Sequence, residues 1–159
     1  MKGFRTIIAL FLVILFLVFG FVRDFVFINL NEQASVTYYH SVESHVSASF
    51  HFLSAYTYPQ LFALKWILTI TFALFFMGLT IAIVRLIYKE KTFLHLTLLA
   101  YGVLFLLAAI FFILGQIKPL NLNGYVISRF FMGIAEGPVV LMVLLPAFKL
   151  SMWRKSLQK

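Results

Sequence analysis

Ser128-Arg129-Phe130-Phe131-Met132-Gly133-Ile134-Ala135-Glu136-Gly137-Pro138 opens a long apolar run and sets an acidic residue inside it. Read as a helix entering a bilayer near Tyr125, the stretch puts Glu136 roughly 16 Å in, close to the midplane of a hydrocarbon core about 30 Å thick. A mid-span carboxylate is disfavoured by about 2.5 to 3.5 kcal/mol, so Glu136 is expected to face protein and either find a partner or stay protonated. Arg129, seven residues earlier, returns to within about 20° of the same face but stands roughly 10 Å away along the axis. A direct pair within this helix is therefore not expected without help from water or another helix. Gly133 lies between the two, and Gly133 to Gly137 is a G-x-x-x-G step that lets a neighbouring backbone come close. Pro138 removes a backbone donor and clashes with the carbonyl of Ile134, so a bend is expected beside the carboxylate.

Arg129, Gly133, Glu136, Gly137 and Pro138 thus form a candidate intramembrane polar or helix-packing site. Two roles fit it. Arg129 snorkels to the surface while a neutral Glu136 bonds a neighbouring helix for assembly, or both line a path for a solute or proton.

Around this stretch the composition sets the class. Of 159 residues, 63% are apolar and 11% charged, and the mean hydropathy is +1.02. No soluble domain of this length hides so much apolar surface, so lipid is the solvent for most of it. The net charge of +8 could suggest nucleic acid. The basic residues instead sit beside apolar runs, as in loops flanking membrane spans, and no nucleic-acid partner is expected. There is no cysteine, which excludes disulfides, thiol redox chemistry, Cys-ligated zinc and iron–sulfur clusters.

Outward along the chain, Thr6 to Val22 is almost unbroken Ile, Leu, Val and Phe after a short basic start. It is long for a signal-peptide core and no small-x-small cleavage site follows, so it reads as a retained first span, residues 6–22. Residues 23–60 are the one substantial polar segment, expected to be an outer loop carrying a short helix or two at the membrane surface, its tyrosines at headgroup level. The second span is 61–88, with Gly78 and Ala82 as a small-residue packing face, and the third is 93–117. The turn 116–124 leads to the fourth, 125–146, and a basic tail with Trp153 as anchor follows.

His40, Glu43, His45 and His51 in the polar segment are competent metal ligands and make a candidate outer-loop site. Their spacing argues against a metal. His40 and His51 would share a helix face about 16 Å apart while His45 points elsewhere, and no paired-histidine signature exists. No metal or cofactor is expected.

Charge counting orients the chain. With the amino terminus inside, Lys2, Arg5, Arg85, Lys89, Lys91, Lys149, Arg154, Lys155 and Lys159 lie inside, nine against Arg23, Lys65, Lys118 and Arg129 outside. The positive-inside rule then puts both termini in the cytoplasm.

Residues 129–138 also resemble a stretch in one helix of major facilitator transporters, where an Arg-aromatic-x-x-Gly-x-x-Glu-Gly pattern recurs. The resemblance covers about ten of the 159 residues. The chain departs from that family in having four spans instead of twelve and no basic loop motif with Gly and Asp between its second and third spans, so membership is not drawn. The missing cysteines likewise exclude a four-span enzyme of the disulfide-forming type.

The expected fold is an all-α integral membrane protein of the cell membrane: one domain, a four-transmembrane-helix bundle with cytoplasmic termini and an extracytoplasmic loop between helices 1 and 2. The function expected first is a non-catalytic integral subunit or assembly factor of a larger membrane complex. Its partners would be the lipid bilayer and other membrane subunits, or itself as a homo-oligomer. The alternatives are a small oligomeric transporter or proton-coupled channel using Arg129 and Glu136, and a membrane enzyme using the outer-loop His and Glu residues.

Overall fold

The computed structural model describes residues 2–41, 45–88, 90–117 and 123–157, with side chains from residue 7 onward. Its elements are α1 (Lys2–Tyr39), a 3₁₀ helix (Ala48–Ala55), α2 (Tyr58–Ile87), α3 (Lys91–Gln116), α4 (Gly124–Ala135) and α5 (Val139–Leu157). The described residues contain no strand. Three helices are each long and apolar enough to cross a membrane, and α4 with α5 make a fourth if that bent pair counts as one span. Glu43, Lys89 and residues 118–122 of the expected loops lie outside the described residues.

The first helix overruns its expected end. Residues 23–39, read as the start of an outer loop, continue α1 for 17 residues beyond Val22. No glycine or proline occurs from residue 21 to 58, so nothing local breaks the ladder there. The polar side chains that suggested a loop also bond within the helix. Asn29 Nδ2 donates to the Phe25 carbonyl at 2.8 Å and Thr37 Oγ1 to the Gln33 carbonyl at 2.9 Å, both one turn back. The helix stops at His40, whose φ of 54° is left-handed. The Ser41 N–H then reaches back to the Val36 carbonyl at 3.3 Å, the 6→1 closure of a Schellman end built on histidine in place of glycine.

The chain divides into two compact units. In residues 18–72, the second half of α1, the 3₁₀ helix and the start of α2 share a core of Leu30, Leu53 and Leu61, with Ala34, Phe50, Leu64 and Leu68 against it. Asn29 Oδ1 accepts the Ser47 N–H at 2.7 Å and fastens the strand of chain before the 3₁₀ helix to α1.

The other unit comprises residues 1–17 and 73–159. Here α4 runs along α3, and α5 touches both. Two glycines allow this. A Cβ on Gly115 would meet the Gly124 Cα at 2.8 Å, and one on Gly124 would meet the Gly115 Cα at 2.5 Å and press on the Phe111 carbonyl. Ala73, Ala108 and Met132 form one cluster, and Tyr101, Ala135 and Val140 another. At the far end of α2, Tyr88, Phe93 and Phe148 pack ring on ring, and the Tyr88 hydroxyl donates to the Leu145 carbonyl at 2.9 Å.

Candidate functional site

The run read as a fourth span is interrupted where its carboxylate sits. The last regular turn of α4 closes with the Glu136 N–H on the Met132 carbonyl at 2.8 Å, and the Gly137 N–H turns back to the Ile134 carbonyl at 3.3 Å. Glu136 itself has φ −84° and ψ 5°, off the helical well. Pro138 has no N–H to continue the ladder, but its carbonyl accepts the Met142 N–H at 2.9 Å and so starts α5. The two helices meet at 55°.

The pair expected to stay apart comes together. Along the helix axis Arg129 and Glu136 are roughly 10 Å apart. The Glu136 N–H still bonds the Met132 carbonyl, so its Cα keeps its helical place, and the two long side chains span the gap to bring the Arg129 guanidinium 3.8 Å from Glu136 Oε1. The contact is charge on charge, longer than a hydrogen bond. Glu136 is fully buried and the Arg129 side chain 21% exposed. The carboxyl group stands at the carbonyl end of α4, where the helix dipole disfavours a negative charge, so the nearby guanidinium is what offsets the unfavourable field.

The glycine step has a different use from the one expected. A Cβ on Gly137 would come within 3.1 Å of the Gly133 carbonyl in the same chain. Gly137 therefore makes room for the turn itself. The close approach of two helices is made by Gly115 and Gly124, at opposite ends of the α3–α4 connection. The Gly78 position is different again: a Cβ there meets nothing within 4 Å, and Gly78 and Ala82 are both exposed.

Two interior polar contacts went unanticipated. Thr80 and Tyr101, both fully buried, share a hydroxyl–hydroxyl hydrogen bond of 2.9 Å between α2 and α3. Asn29, 4% exposed, holds the Ser47 amide. Tyr101 interrupts an otherwise apolar run of the third helix, whereas its partner is one of several threonines in α2.

The outer-loop histidines do not converge. His40, His45 and His51 are all exposed, and Glu43 lies outside the described residues. His40 ends α1, while the His45 backbone N–H faces Glu32 Oε1 at 3.4 Å. Among the described residues, no three His, Asp or Glu side chains stand close enough to share a metal ion.

Comparison with protein-family models, with curated proteins and with solved structures returns no match.

Proposed function

We propose that the chain is a non-catalytic integral subunit or assembly factor of a membrane complex, with four spans, both termini in the cytoplasm of the cell membrane, and α2 as its partner face. The observation that carries this reading is the uncovered small-residue step on α2. Gly78 and Ala82 stand one turn apart in the open, with the exposed Arg85 continuing their side of the helix. Between helices in lipid such steps let backbones approach closely and pack by dispersion and weak hydrogen bonds. The α4 step is occupied by its own turn, which leaves α2 as the better candidate. The orientation rests on nine inner against four outer basic residues.

The test is the mass of the particle extracted gently from its native membrane. Wild type is expected to come out with a second polypeptide or as a homo-oligomer, and Gly78→Leu as the bare chain. A complex of unchanged mass in Gly78→Leu would sink the proposal.

The broken helix favours a second reading, a small transporter or proton-coupled channel using Arg129 and Glu136. Discontinuous spans with buried charge at the break are a recurrent way of building ion sites at membrane depth. Reconstituted vesicles should then show a proton or solute flux that Glu136→Gln abolishes, and a flux unchanged by that substitution would remove the pair from any path.

A further inference from the structure

The unit of residues 18–72 carries a surface that polar composition would not suggest. On α2, every exposed position from residue 61 to 70 is apolar: Phe62, Ala63, Ile67 and Ile70. On α1 the exposed side chains from residue 18 to 28 are Val18, Phe21, Val22, Asp24, Phe25 and Ile28, and Asp24 is held by Arg23 at 2.7 Å. The mouth of the unit is different in kind. Tyr38, Tyr39 and Tyr58 cluster there with ring centroids 4.9 Å apart in each neighbouring pair, next to exposed Ser35 and Ser41. Tyrosine with small polar neighbours is the composition of the headgroup layer, and apolar exposure interrupted only by the paired Asp24 that of the acyl region. Ile28 is ten residues from Tyr38, roughly 15 Å along the helix, so both zones fit on this one unit.

The 3₁₀ helix lies below that boundary. Its Phe50 ring packs edge-on against Phe25 at 5.5 Å, and Phe25 is three residues, roughly 5 Å, deeper than Ile28. Phe52, stacked on Phe50 at 5.9 Å, is 59% exposed. Irregular backbone at such a depth persists only where its donors are satisfied by protein. The unit supplies partners for three of them. Asn29 Oδ1 takes the Ser47 N–H at 2.7 Å and Glu32 Oε1 faces the His45 N–H at 3.4 Å, while the Phe50 N–H bonds the Ser47 carbonyl at 2.8 Å. His51 and Ser49 are exposed on the same segment, which keeps it near the boundary and away from the midplane.

From this juxtaposition we infer that residues 45–55 form a re-entrant strap whose Phe50 and Phe52 insert among lipid acyl chains, and that Asn29 is the residue that makes the insertion tolerable. The partner is the bilayer itself, on a segment whose His and Ser content reads as aqueous loop. The inference stands independently of the subunit reading.

The absence of cysteine makes the test clean. In lipid nanodiscs, where both faces are open, Phe52→Cys is expected to react with a charged maleimide about tenfold more slowly than Ser41→Cys, because acyl chains exclude the reagent. A fluorophore attached at residue 52 should be quenched more by a spin label on the acyl chain than by one on the headgroup. Equal labelling rates, or stronger headgroup quenching, overturn the inference. Should Phe52→Cys lose helical circular dichroism, Phe50→Cys carries the same expectation. Adding Asn29→Ala should raise the labelling of residue 52 towards that of residue 41, and an unchanged rate removes Asn29 from the account.

Discussion

Gly115 and Gly124 meet backbone to backbone across the α3–α4 connection, so that a methyl group on Gly124 would sit 2.5 Å from the Gly115 Cα. Neither glycine is needed for an unusual backbone angle, since no glycine among the described residues has positive φ. Their smallness is what lets α4 lie along α3. Gly124→Ala is expected to destabilise the protein by about 1 to 3 kcal/mol, the usual range for overpacking a close contact. Gly102→Ala, where a Cβ meets nothing within 4 Å, should be neutral or slightly stabilising through helix propensity. Unfolding in mixed detergent micelles followed by circular dichroism checks both.

The Arg129–Glu136 contact should behave as a coupled pair. Removing the cation alone in Arg129→Met leaves a buried carboxyl group facing the negative end of α4 and is expected to destabilise by about 3 kcal/mol, at the low end for buried pairs because Arg129 is part-exposed. Combining it with Glu136→Gln should recover more than half of that loss. A double-mutant cycle giving additive effects would mean that the 3.8 Å approach has no energetic content.

His40 holds the left-handed position at which glycine is the unstrained choice. His40→Gly is expected to stabilise the end of α1 by about 0.5 to 1 kcal/mol, and the β-branched His40→Val to destabilise it by about 1 kcal/mol or more. Amide exchange at Ser41, whose N–H closes the motif on Val36, should slow in the first variant and quicken in the second.

The hydroxyl pair of Thr80 and Tyr101 spans two helices in a fully buried setting. Tyr101→Phe is expected to cost about 1 kcal/mol by orphaning the Thr80 hydroxyl, less if that hydroxyl rotates onto its own helix. Thr80→Val combined with Tyr101→Phe should be no worse than Tyr101→Phe alone. Equilibrium unfolding of the three variants decides it.

The membrane-crossing character of this chain is legible because runs such as 61–88 and 93–117 are long, apolar and bounded by charge, and one dimension suffices to read them. The end of α1 is not legible by polarity. Arg23, Asp24, Asn29 and Glu32 look like loop residues, yet a helix needs only the absence of a breaker and a place for its polar side chains, and residues 21–58 contain neither glycine nor proline. Arg129 and Glu136 are visible as an odd charge couple in an apolar run. Their contact is not, because seven residues leave about 10 Å along the axis and only the rotamers of two long side chains, which the sequence does not fix, decide whether they close it. Gly115 and Gly124 are harder still. Nothing marks two glycines on opposite sides of a turn as partners until the helices are folded against each other.

The interruption at Glu136, Gly137 and Pro138 has a consequence for biogenesis. Twelve residues of α4 make a rod of about 18 Å, well short of the hydrocarbon thickness, and α5 acquires its basic residues from Lys149 onward, after about 15 Å of apolar helix. Neither half is a competent stop for a translocating chain by itself. Counted as one span, the bent pair would have to insert as a unit, with α4 held at the lateral gate until α5 has left the ribosome. Arg129 and Glu136 would then enter lipid in one event, already within reach of each other, with no stage of synthesis leaving the carboxyl group in hydrocarbon ahead of its guanidinium.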